Sequence, residues 1–273
     1  MTLRRPDLSI VVVSYNMRRE LPRTLQSLSR SYQVGIDDLR YEIIVVDNGS
    51  DAPLPPRDWS ATASTDTAIR YVQSPRASVS PAAAINWAVR QTRGRAVGVI
   101  LDGARMVTPG AVSLGMRALA LSPRACALTP AWHLGPQHQS ISVPAGYGPD
   151  EEDALLRQAD WPNNGYGLFA ISCPAGANPS GMFDTPNEAC FLILKRTLWA
   201  ELGGMDEEFD SPGGGLVALD FFNRVLTLPE VTPVVLIGEG SFHQVHRGVT
   251  TASAETRPFS HLEEEYRRIR NIP

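Results

Sequence analysis

Short polar residues end two apolar segments near the start of the chain, and their side chains suit ligand binding. The first segment is LSIVVVSYN at residues 8–16, and the second is YEIIVVDNGSD at residues 41–51. Continuous β-branched runs of this kind are typical of strands buried on both faces of a parallel sheet. Ligands of open α/β sheets bind outside the carboxyl ends of such strands. We therefore expect one crevice to hold the polar residues of both segments, namely Ser14, Tyr15, Asn16, Asp47 and Asp51.

Read together, the motifs V-V-S-Y-N and V-V-D-N-G-S-D resemble the opening of the family 2 glycosyltransferases. The resemblance implies a GT-A fold, in which these two strand ends hold the base and the ribose of a nucleotide sugar. It assigns base recognition to Asp47 and places Asp51 near the ribose, with residues 14–16 shaping the base pocket. The alternative is a pair of ordinary core strands capped by turn residues, because Asn-Gly is a common turn dipeptide.

Two later segments extend the resemblance to nearly the whole chain, from Leu8 to Thr251. The family has an asparagine in the helix before its fourth strand, and Asn86 occupies the corresponding predicted helix here. The segment GGMDEEF at residues 203–209 is similar to the G-G-F-D-E-x-F element of the same enzymes. The resemblance therefore implies that Asn86 contributes to the donor site.

The family holds the diphosphate of its donor with an Asp-x-Asp motif at the end of the fourth strand, usually through Mg²⁺ or Mn²⁺. This chain reads Asp102-Gly103-Ala104-Arg105 there, so Asp102 matches the first carboxylate and Ala104 removes the second. The resemblance implies that Asp102 lies at the diphosphate. A fixed cation is the alternative to a metal, with Arg105 or Arg247 supplying the positive charge directly.

Two late histidines are candidates for the missing metal ligand. His243 and His246 follow a predicted strand at residues 234–237, and His246 best matches the late histidine of the family. A turn residue and a core histidine would give the same pattern. Because imidazole suits Mn²⁺ better than Mg²⁺, we expect Mn²⁺ to be preferred. Asp102 alone provides too few ligand atoms for a dication, so we expect the metal to bind only together with the nucleotide.

An inverting transferase also needs a carboxylate that deprotonates the acceptor hydroxyl. The family supplies it from Glu-Asp just before a helix that reads x-Asp-Leu-x-x-Arg. Alignment on Arg224 leaves Val217 and Ala218 at those two acidic positions and places Asp220 one helical turn later. Asp220 and Glu188, which opens a predicted strand on the acceptor side, are therefore the candidate bases. The alternative is a retaining mechanism in which the leaving phosphate accepts the proton.

Regular helices and strands must position these residues. Leucine spacing predicts a helix from Leu21 to Ser31. Ser80 and Thr108 each precede a proline, and each pair predicts a helix start with an N-cap and proline at the first helical position. A glycine pair after Leu202 predicts the end of another helix. The glycine triplet at residues 213–215 would permit close approach of a ligand, and a flexible loop is the alternative.

The predicted architecture is a single α/β domain of the GT-A type, with a mixed, mainly parallel sheet, over residues 1–273. Residues 8–130 form the predicted nucleotide-sugar-binding half, and residues 131–273 form the acceptor-side half. The Gly/Pro/Asn-rich stretch at residues 161–187 is long for an unstructured connection, which favours a functional loop or lid over disorder. Its aromatic residues are candidates for stacking on a sugar, namely Trp161, Tyr166, Phe169 and Phe183.

Charge and composition exclude some partners. The chain has 25 basic and 29 acidic residues and no long run of either sign, which speaks against nucleic acid binding. No stretch approaches the roughly twenty apolar residues of a membrane span. Three scattered cysteines indicate a reducing compartment. We expect a soluble, cytoplasmic protein, with docking on a membrane surface through Arg267, Arg268 and Arg270 as an alternative.

The sequence thus predicts a glycosyltransferase that moves a sugar from a nucleotide-diphosphate sugar to an unidentified glycan, lipid-linked or small-molecule acceptor. A degenerate GT-A domain that binds nucleotide sugar or glycan without turnover, as a module of a larger system, is the alternative, because two acidic motifs are weakened. A nucleotidyltransferase of similar sheet topology is a third reading. Such enzymes normally carry a glycine-rich loop near the first strand, and residues 14–21 contain no glycine.

Overall fold

The computed structural model describes residues 5–54, 67–178, 183, 185–246 and 259–273. The strands are β1 (Leu8–Ser14), β2 (Tyr41–Asp47), β3 (Ala68–Gln73), β4 (Ala96–Ile100), β5 (Arg105–Val107), β6 (Ala125–Leu128), β7 (Ala131–Leu134), β8 (Ser172–Pro174), β9 (Phe191–Lys195), β10 (Thr232–Val235) and β11 (Ser241–His243). The α-helices are α1 (Leu21–Ser27), α2 (Ala82–Arg90), α3 (Ala111–Ala118), α4 (Gln139–Ser142), α5 (Pro149–Ala159), α6 (Arg196–Glu201), α7 (Val217–Thr227) and α8 (Phe259–Arg270).

The larger sheet has seven strands in the order β10-β6-β9-β4-β1-β2-β3. Neighbouring strands run parallel except at β9, which is antiparallel to both β4 and β6. The prediction of an α/β fold with a mixed, mainly parallel sheet is confirmed. Ser14 lies opposite Asp47, and Val12 lies opposite Ile100. The carboxyl ends of β1, β2 and β4 therefore meet at one edge of the sheet.

The central strands are buried on both faces, which accounts for their continuous apolar sequences. Successive side chains of a strand point to opposite faces. Val11 and Val13 of β1 pack in a cluster with α2 and α7, whereas Ile10 and Val12 pack in a cluster with α1 and α3. The sheet is thus covered by helices on each side, and its strand ends form a rigid base for the loops that follow them.

A second sheet has four short strands in the order β5-β11-β7-β8. In its register, His243 lies opposite Arg105 on one neighbouring strand and opposite His133 on the other. The sequence analysis did not predict β7 and β8, because strands of three or four residues show too little alternation to be recognised. Trp132 and Phe242 stack within the aromatic cluster of this sheet.

The stretch predicted as a loop or lid is largely packed structure. Residues 165–171 form a 3₁₀-helix that leads into β8. Trp161 is 5% exposed, and Phe169 packs edge-on against an aromatic residue of β7. Tyr166 and Phe183 remain exposed. The expectation of a lid is therefore wrong for residues 161–178, and apart from Phe183 the residues between 178 and 185 lie outside the described part.

Helix boundaries follow the predicted signals to within a few residues. The helix expected from Ser80 begins at Ala82, and the Ser80 hydroxyl accepts from the Ala82 N–H at 3.4 Å. The helix expected from Thr108 begins at Ala111. At the end of α6, Gly203 has a φ of 73°, a left-handed conformation that favours glycine.

The last helix is held to the body of the protein by an arginine that sequence analysis considered for membrane docking. Arg270 pairs with Asp206 at 2.7 Å and with Asp220, and Ile269 is buried in the core. Arg267 and Arg268 are exposed. Among the described residues, no helix combines the length and apolar character needed to cross a bilayer.

Candidate active site

A cavity of about 570 Å³ lies where β1, β2 and β4 end. Its lining includes Ser14 and Tyr15 from the end of β1, together with Asp102, His243 and His246. Parallel strands present their carboxyl ends at a common edge, so several short loops deliver polar groups to one place. The cavity occupies the edge at which the sequence analysis placed a crevice.

Asp102, His243 and His246 converge on this cavity from distant parts of the chain. The Asp102 Oδ2 atom lies 2.9 Å from His243 Nε2 and 3.2 Å from His246 Nε2. The two Nε2 atoms are 3.1 Å apart. Each residue thus offers one potential ligand atom to the same point. We refer to these three residues as the carboxylate–histidine triangle.

The dimensions of the triangle fit a bound dication. With bonds of about 2.1 Å, neighbouring ligand atoms lie about 3.0 Å apart around an octahedral ion and about 3.4 Å apart around a tetrahedral ion. The separations of 2.9, 3.1 and 3.2 Å agree with one face of an octahedron. Such a face leaves three positions for ligands from outside the protein. Two imidazoles also favour Mn²⁺ and later first-row ions over Mg²⁺.

The charge of Asp102 dominates the electrostatics of the triangle. Burial lowers the pKa of His243 to about 4 despite the nearby carboxylate, so this imidazole is neutral at pH 7. Burial acts in the same direction on His246, but the charge of Asp102 outweighs it, and the pKa of His246 is raised. Burial opposes ionisation of Asp102, yet the two histidines hold its pKa well below the usual range. Asp102 is therefore a carboxylate that attracts positive charge.

The turn after β4 determines which oxygen Asp102 offers. Its Oδ1 accepts from the Ala104 N–H at 3.0 Å, which leaves Oδ2 for the histidines. Ala104 stands where the family has its second carboxylate, and it is fully buried. The Gln244 N–H donates to the Ala104 carbonyl at 2.8 Å, so the histidine segment is tied directly to this turn.

A buried ion pair holds the backbone between the two histidines. The Val245 N–H donates to Glu152, a fully buried residue of α5, and Arg19 donates to the Val245 carbonyl at 3.1 Å. Arg19 also pairs with Glu152 at 2.9 Å. Burial raises the pKa of Glu152 to about 7, against the opposing effects of these partners. The sequence analysis missed both residues, because their contacts join positions far apart in the chain.

The residues expected at the base pocket, Ser14, Tyr15 and Asn16, and Asp51, expected near the ribose, divide into two pairs. Ser14 and Tyr15 line the cavity, and Tyr15 is 52% exposed, so its ring offers a free face. Asn16 and Asp51 do not line it and instead bond to each other. The Asn16 side chain donates to Asp51 Oδ2 at 2.9 Å and accepts from the Asp51 N–H at 2.9 Å.

Asp47 is placed behind the cavity rather than in its lining. Its Oδ1 accepts from the N–H groups of Gly49 and Ser50 at 2.9 and 2.7 Å, and its Oδ2 accepts from the Tyr71 hydroxyl. The residue is 2% exposed. These contacts make Asp47 part of the turn that ends β2. The sequence analysis had instead expected its side chain to contact the base. Asn48, the next residue, lines the cavity instead.

Two further predicted site residues are engaged in the core and do not line the cavity. The Asn86 side chain donates to the Met205 carbonyl at 2.8 Å and accepts from the Met205 N–H at 2.9 Å, which fixes the GGMDEEF segment. Asp220 is 1% exposed and pairs with Arg224 at 2.8 Å and with Arg270. Asp220 was one of two candidate bases, but both of its oxygens bind arginines, so the structure does not present it as a free carboxylate.

The remaining candidates that the structure describes, Glu188 and Arg105, do not line the cavity. Glu188 is half-buried, precedes β9 instead of opening it, and accepts from the Cys190 thiol at 3.5 Å. Arg105 is 9% exposed, and its Nη1 atom is buried without a hydrogen-bond partner. Its charge contributes to the lowered pKa of His243. Arg247 lies outside the described residues.

One wall of the cavity includes part of the glycine triplet that the sequence analysis considered for close approach of a ligand. Val79 and Gly213 line it, and the Gly213 N–H donates to the Val79 carbonyl at 2.9 Å. All glycines of the triplet at residues 213–215 have positive φ, which other residues rarely adopt. This triplet was the available sequence signal for a loop that approaches the cavity closely.

Comparison with known proteins identifies the relatives of this architecture. Residues 9–128 match the profile of the family described as Glycosyl transferase family 2, and the resemblance seen in the sequence is confirmed. No curated protein matches the chain in sequence.

Solved structures of S. aureus TarS 1-349 share the fold. The complex with UDP-GlcNAc matches with a TM-score of 0.62 at 15% identity, over 96% of this chain and 65% of that one. The complex with UDP matches with a TM-score of 0.57 at 14% identity, over 97% and 71%. A further TarS 1-349 structure matches with a TM-score of 0.55 at 14% identity, and there the chain spans only 60% of its length.

Proposed function

Because the chain carries a family 2 glycosyltransferase domain, we propose that it transfers a sugar from a nucleotide-diphosphate sugar bound in the cavity. The observation that carries the proposal is the carboxylate–histidine triangle at the wall of that cavity. It would hold a divalent cation, with Mn²⁺ preferred, against the diphosphate of the donor. The whole chain would act as one domain, with residues 8–130 binding the donor and residues 131–273 serving the acceptor side.

Uridine is the nucleoside that we propose for the donor. The structurally similar TarS protein has been solved with UDP and with UDP-GlcNAc, which makes these the first ligands to test. Two exposed side chains of the cavity lining, Tyr15 and Val79, offer apolar surface for a flat base. The lining residues Ser14 and Asn48 supply polar groups close to them.

In the proposed reaction, the bond between the anomeric carbon and the diphosphate oxygen breaks, and the acceptor hydroxyl bonds to that carbon and loses its proton. A bound dication would offset the charge that develops on the leaving diphosphate. Asp102, His243 and His246 would hold it, while the strand-end loops orient the nucleoside. Rigid positioning of this kind lowers the barrier because little reorganisation is needed during the reaction.

The proton of the acceptor hydroxyl has two candidate destinations. Asp220 is unsuited to receive it, because two arginines occupy its carboxylate. Glu188 is therefore the remaining protein candidate, and the leaving phosphate is the alternative. The acceptor itself would be a glycan, a lipid-linked sugar or a small molecule.

A binding module without turnover is the second candidate function. The observation that favours it is the presence of Val217 and Ala218 where the family has its catalytic acids. A transferase should hydrolyse its donor slowly when water takes the place of the acceptor. Absence of hydrolysis for every nucleotide sugar that binds would favour the module.

A thermal-shift panel of nucleoside diphosphates, each with Mn²⁺ or with chelator, tests the donor and the metal together. UDP with Mn²⁺ should give the largest stabilisation, about 2.7 kcal/mol at a hundred times the dissociation constant. Stabilisation by UDP that is equal with Mn²⁺ and with chelator would refute the metal and favour Arg105. Absence of stabilisation by any diphosphate would refute the donor site itself.

A further inference from the structure

We propose that Gln139 is a positioning residue that fixes the tautomer of His243, so that the Nε2 lone pair of this histidine faces the centre of the triangle. Gln139 begins α4, a short helix with no predicted role, and it does not line the cavity. The proposal rests on the proposed function, because it gives His243 the state in which an imidazole can bind a dication.

The side chain of Gln139 is bound at both ends of its amide. The residue is fully buried. Its Oε1 atom lies 2.6 Å from His243 Nδ1. Its Nε2 atom donates to the carbonyl oxygens of Leu134 at 3.2 Å and of His243 at 3.0 Å. No polar atom of this amide is left without a partner.

These partners determine the orientation of the amide. Carbonyl oxygens only accept hydrogen bonds, so the amide nitrogen must face Leu134 and the His243 backbone. The opposite orientation would place the amide oxygen against two carbonyl oxygens in a buried site. The amide oxygen therefore faces His243 Nδ1, and the two amide ends are assigned by this network.

The orientation of the amide in turn determines the proton on His243. An amide oxygen only accepts, so the Nδ1 atom must carry the hydrogen. In a neutral imidazole, a proton on Nδ1 leaves Nε2 with a free lone pair. That atom lies 2.9 Å from Asp102 Oδ2 and 3.1 Å from His246 Nε2. Gln139 thereby aims a ligand atom at the point shared by the triangle.

The backbone of Gln139 orders a second ring beside the first. Its N–H donates to His133 Nδ1 at 3.0 Å. The His133 ring lies with its centroid 5.3 Å from that of His243. One residue therefore contacts both rings, His133 through its backbone and His243 through its side chain.

Gln33 provides a matched comparison for a purely structural role. It is also buried, and its Nε2 atom donates to the carbonyls of Ser27 at 2.7 Å and Thr108 at 2.9 Å. Its Oε1 atom accepts from the Val112 N–H at 3.1 Å, not from a histidine. Loss of Gln33 should therefore cost stability without changing the state of His243.

The first test measures the tautomer in the metal-free wild-type protein. Long-range ¹⁵N–¹H correlation spectra distinguish the protonated from the bare imidazole nitrogen. We expect the His243 signals of a ring that carries a proton on Nδ1, and a change of these signals in Gln139→Met but not in Gln33→Met. A bare Nδ1 in the wild type would overturn the proposal, whether or not the protein binds metal.

The second test measures Mn²⁺ affinity by electron paramagnetic resonance in the presence of UDP. Gln139→Met should weaken Mn²⁺ binding about 10–100-fold, as loss of an outer partner of a ligand usually does. Gln33→Met should leave it unchanged. Equal Mn²⁺ affinities for the wild type and a folded Gln139→Met would overturn the positioning role. Failure of the wild type to bind Mn²⁺ would refute the proposed metal site, while the tautomer measurement would still decide the role of Gln139.

Discussion

Among single residues, the two histidines of the triangle carry the clearest expectation. Because their ligand atoms already lie within 3.2 Å of each other and of Asp102, Mn²⁺ should bind measurably even without nucleotide, which revises the expectation drawn from Asp102 alone. His243→Ala and His246→Ala should each weaken Mn²⁺ binding by at least about tenfold. Electron paramagnetic resonance titration measures this, with His261→Ala as the control, since His261 is exposed on α8. Dependence on only one of the two histidines would contradict the geometry.

Replacement of Asp47 should reduce the stability of the fold more than it reduces nucleotide affinity. In Asp47→Ala, the N–H groups of Gly49 and Ser50 and the Tyr71 hydroxyl lose their acceptor. Each buried group left without a partner costs about 1–3 kcal/mol. Urea unfolding should show a clear loss, with a smaller loss in Tyr71→Phe. An unchanged unfolding free energy alongside weaker nucleotide affinity would restore the expected contact with the base.

The sequence could place Asp47 at a strand end but could not show which partners its oxygens bind. Short-range turn contacts and ligand contacts use the same residue types, so D-N-G-S fits both. Gln139 gave no signal at all, because its role depends on His243, which lies 104 positions away. His243 and His246 were predictable from their types and spacing. Their approach to Asp102 required the fold.

At the scale of elements, the pairing of Asp220 with α8 predicts a structural effect. Arg270 of α8 and Arg224 of α7 share its carboxylate. Removing one partner of a buried ion pair costs about 3–5 kcal/mol, and we expect the lower end because both arginines are partly exposed. Asp220→Asn should therefore lower the melting temperature clearly. A variant of unchanged stability with reduced turnover would instead support Asp220 as the base.

Elements with strong local signals were predictable, and those defined by distant pairing were not. Continuous β-branched runs predict the central strands, and an acidic first turn predicts α5. In contrast, β7 and β8 depend on pairing with distant segments. β7 pairs with β11 and with β8, and β8 directly follows a 3₁₀-helix. Their sequences, AWHL and SCP, have no period of their own. The aromatic residues of that region were consequently assigned to a lid instead of to a core.

At the scale of the whole molecule, Glu152 should make stability depend on pH. Its pKa is about 7 in the folded protein and near the usual 4.5 in the unfolded chain, so the folded state binds more protons between these values. The unfolding free energy should therefore fall as pH rises from about 4.5 to about 7, by on the order of 3 kcal/mol from this group. Urea unfolding across this range should show a shallower slope for Glu152→Gln. Equal slopes would contradict the assignment.

The ligand set of the triangle also determines how the protein would respond to the wrong ion. Affinity for nitrogen and oxygen ligands rises along the first-row series from Mn²⁺ to Cu²⁺, and Zn²⁺ also binds such ligands more tightly than Mn²⁺ does. Zn²⁺ usually takes only four ligands, so three protein atoms would leave it a single open position, too few for both diphosphate oxygens and water. Zinc should therefore compete as an inhibitor, whereas excess magnesium should displace manganese poorly. Turnover assayed after exposure to zinc should be low, and chelation followed by manganese should restore it.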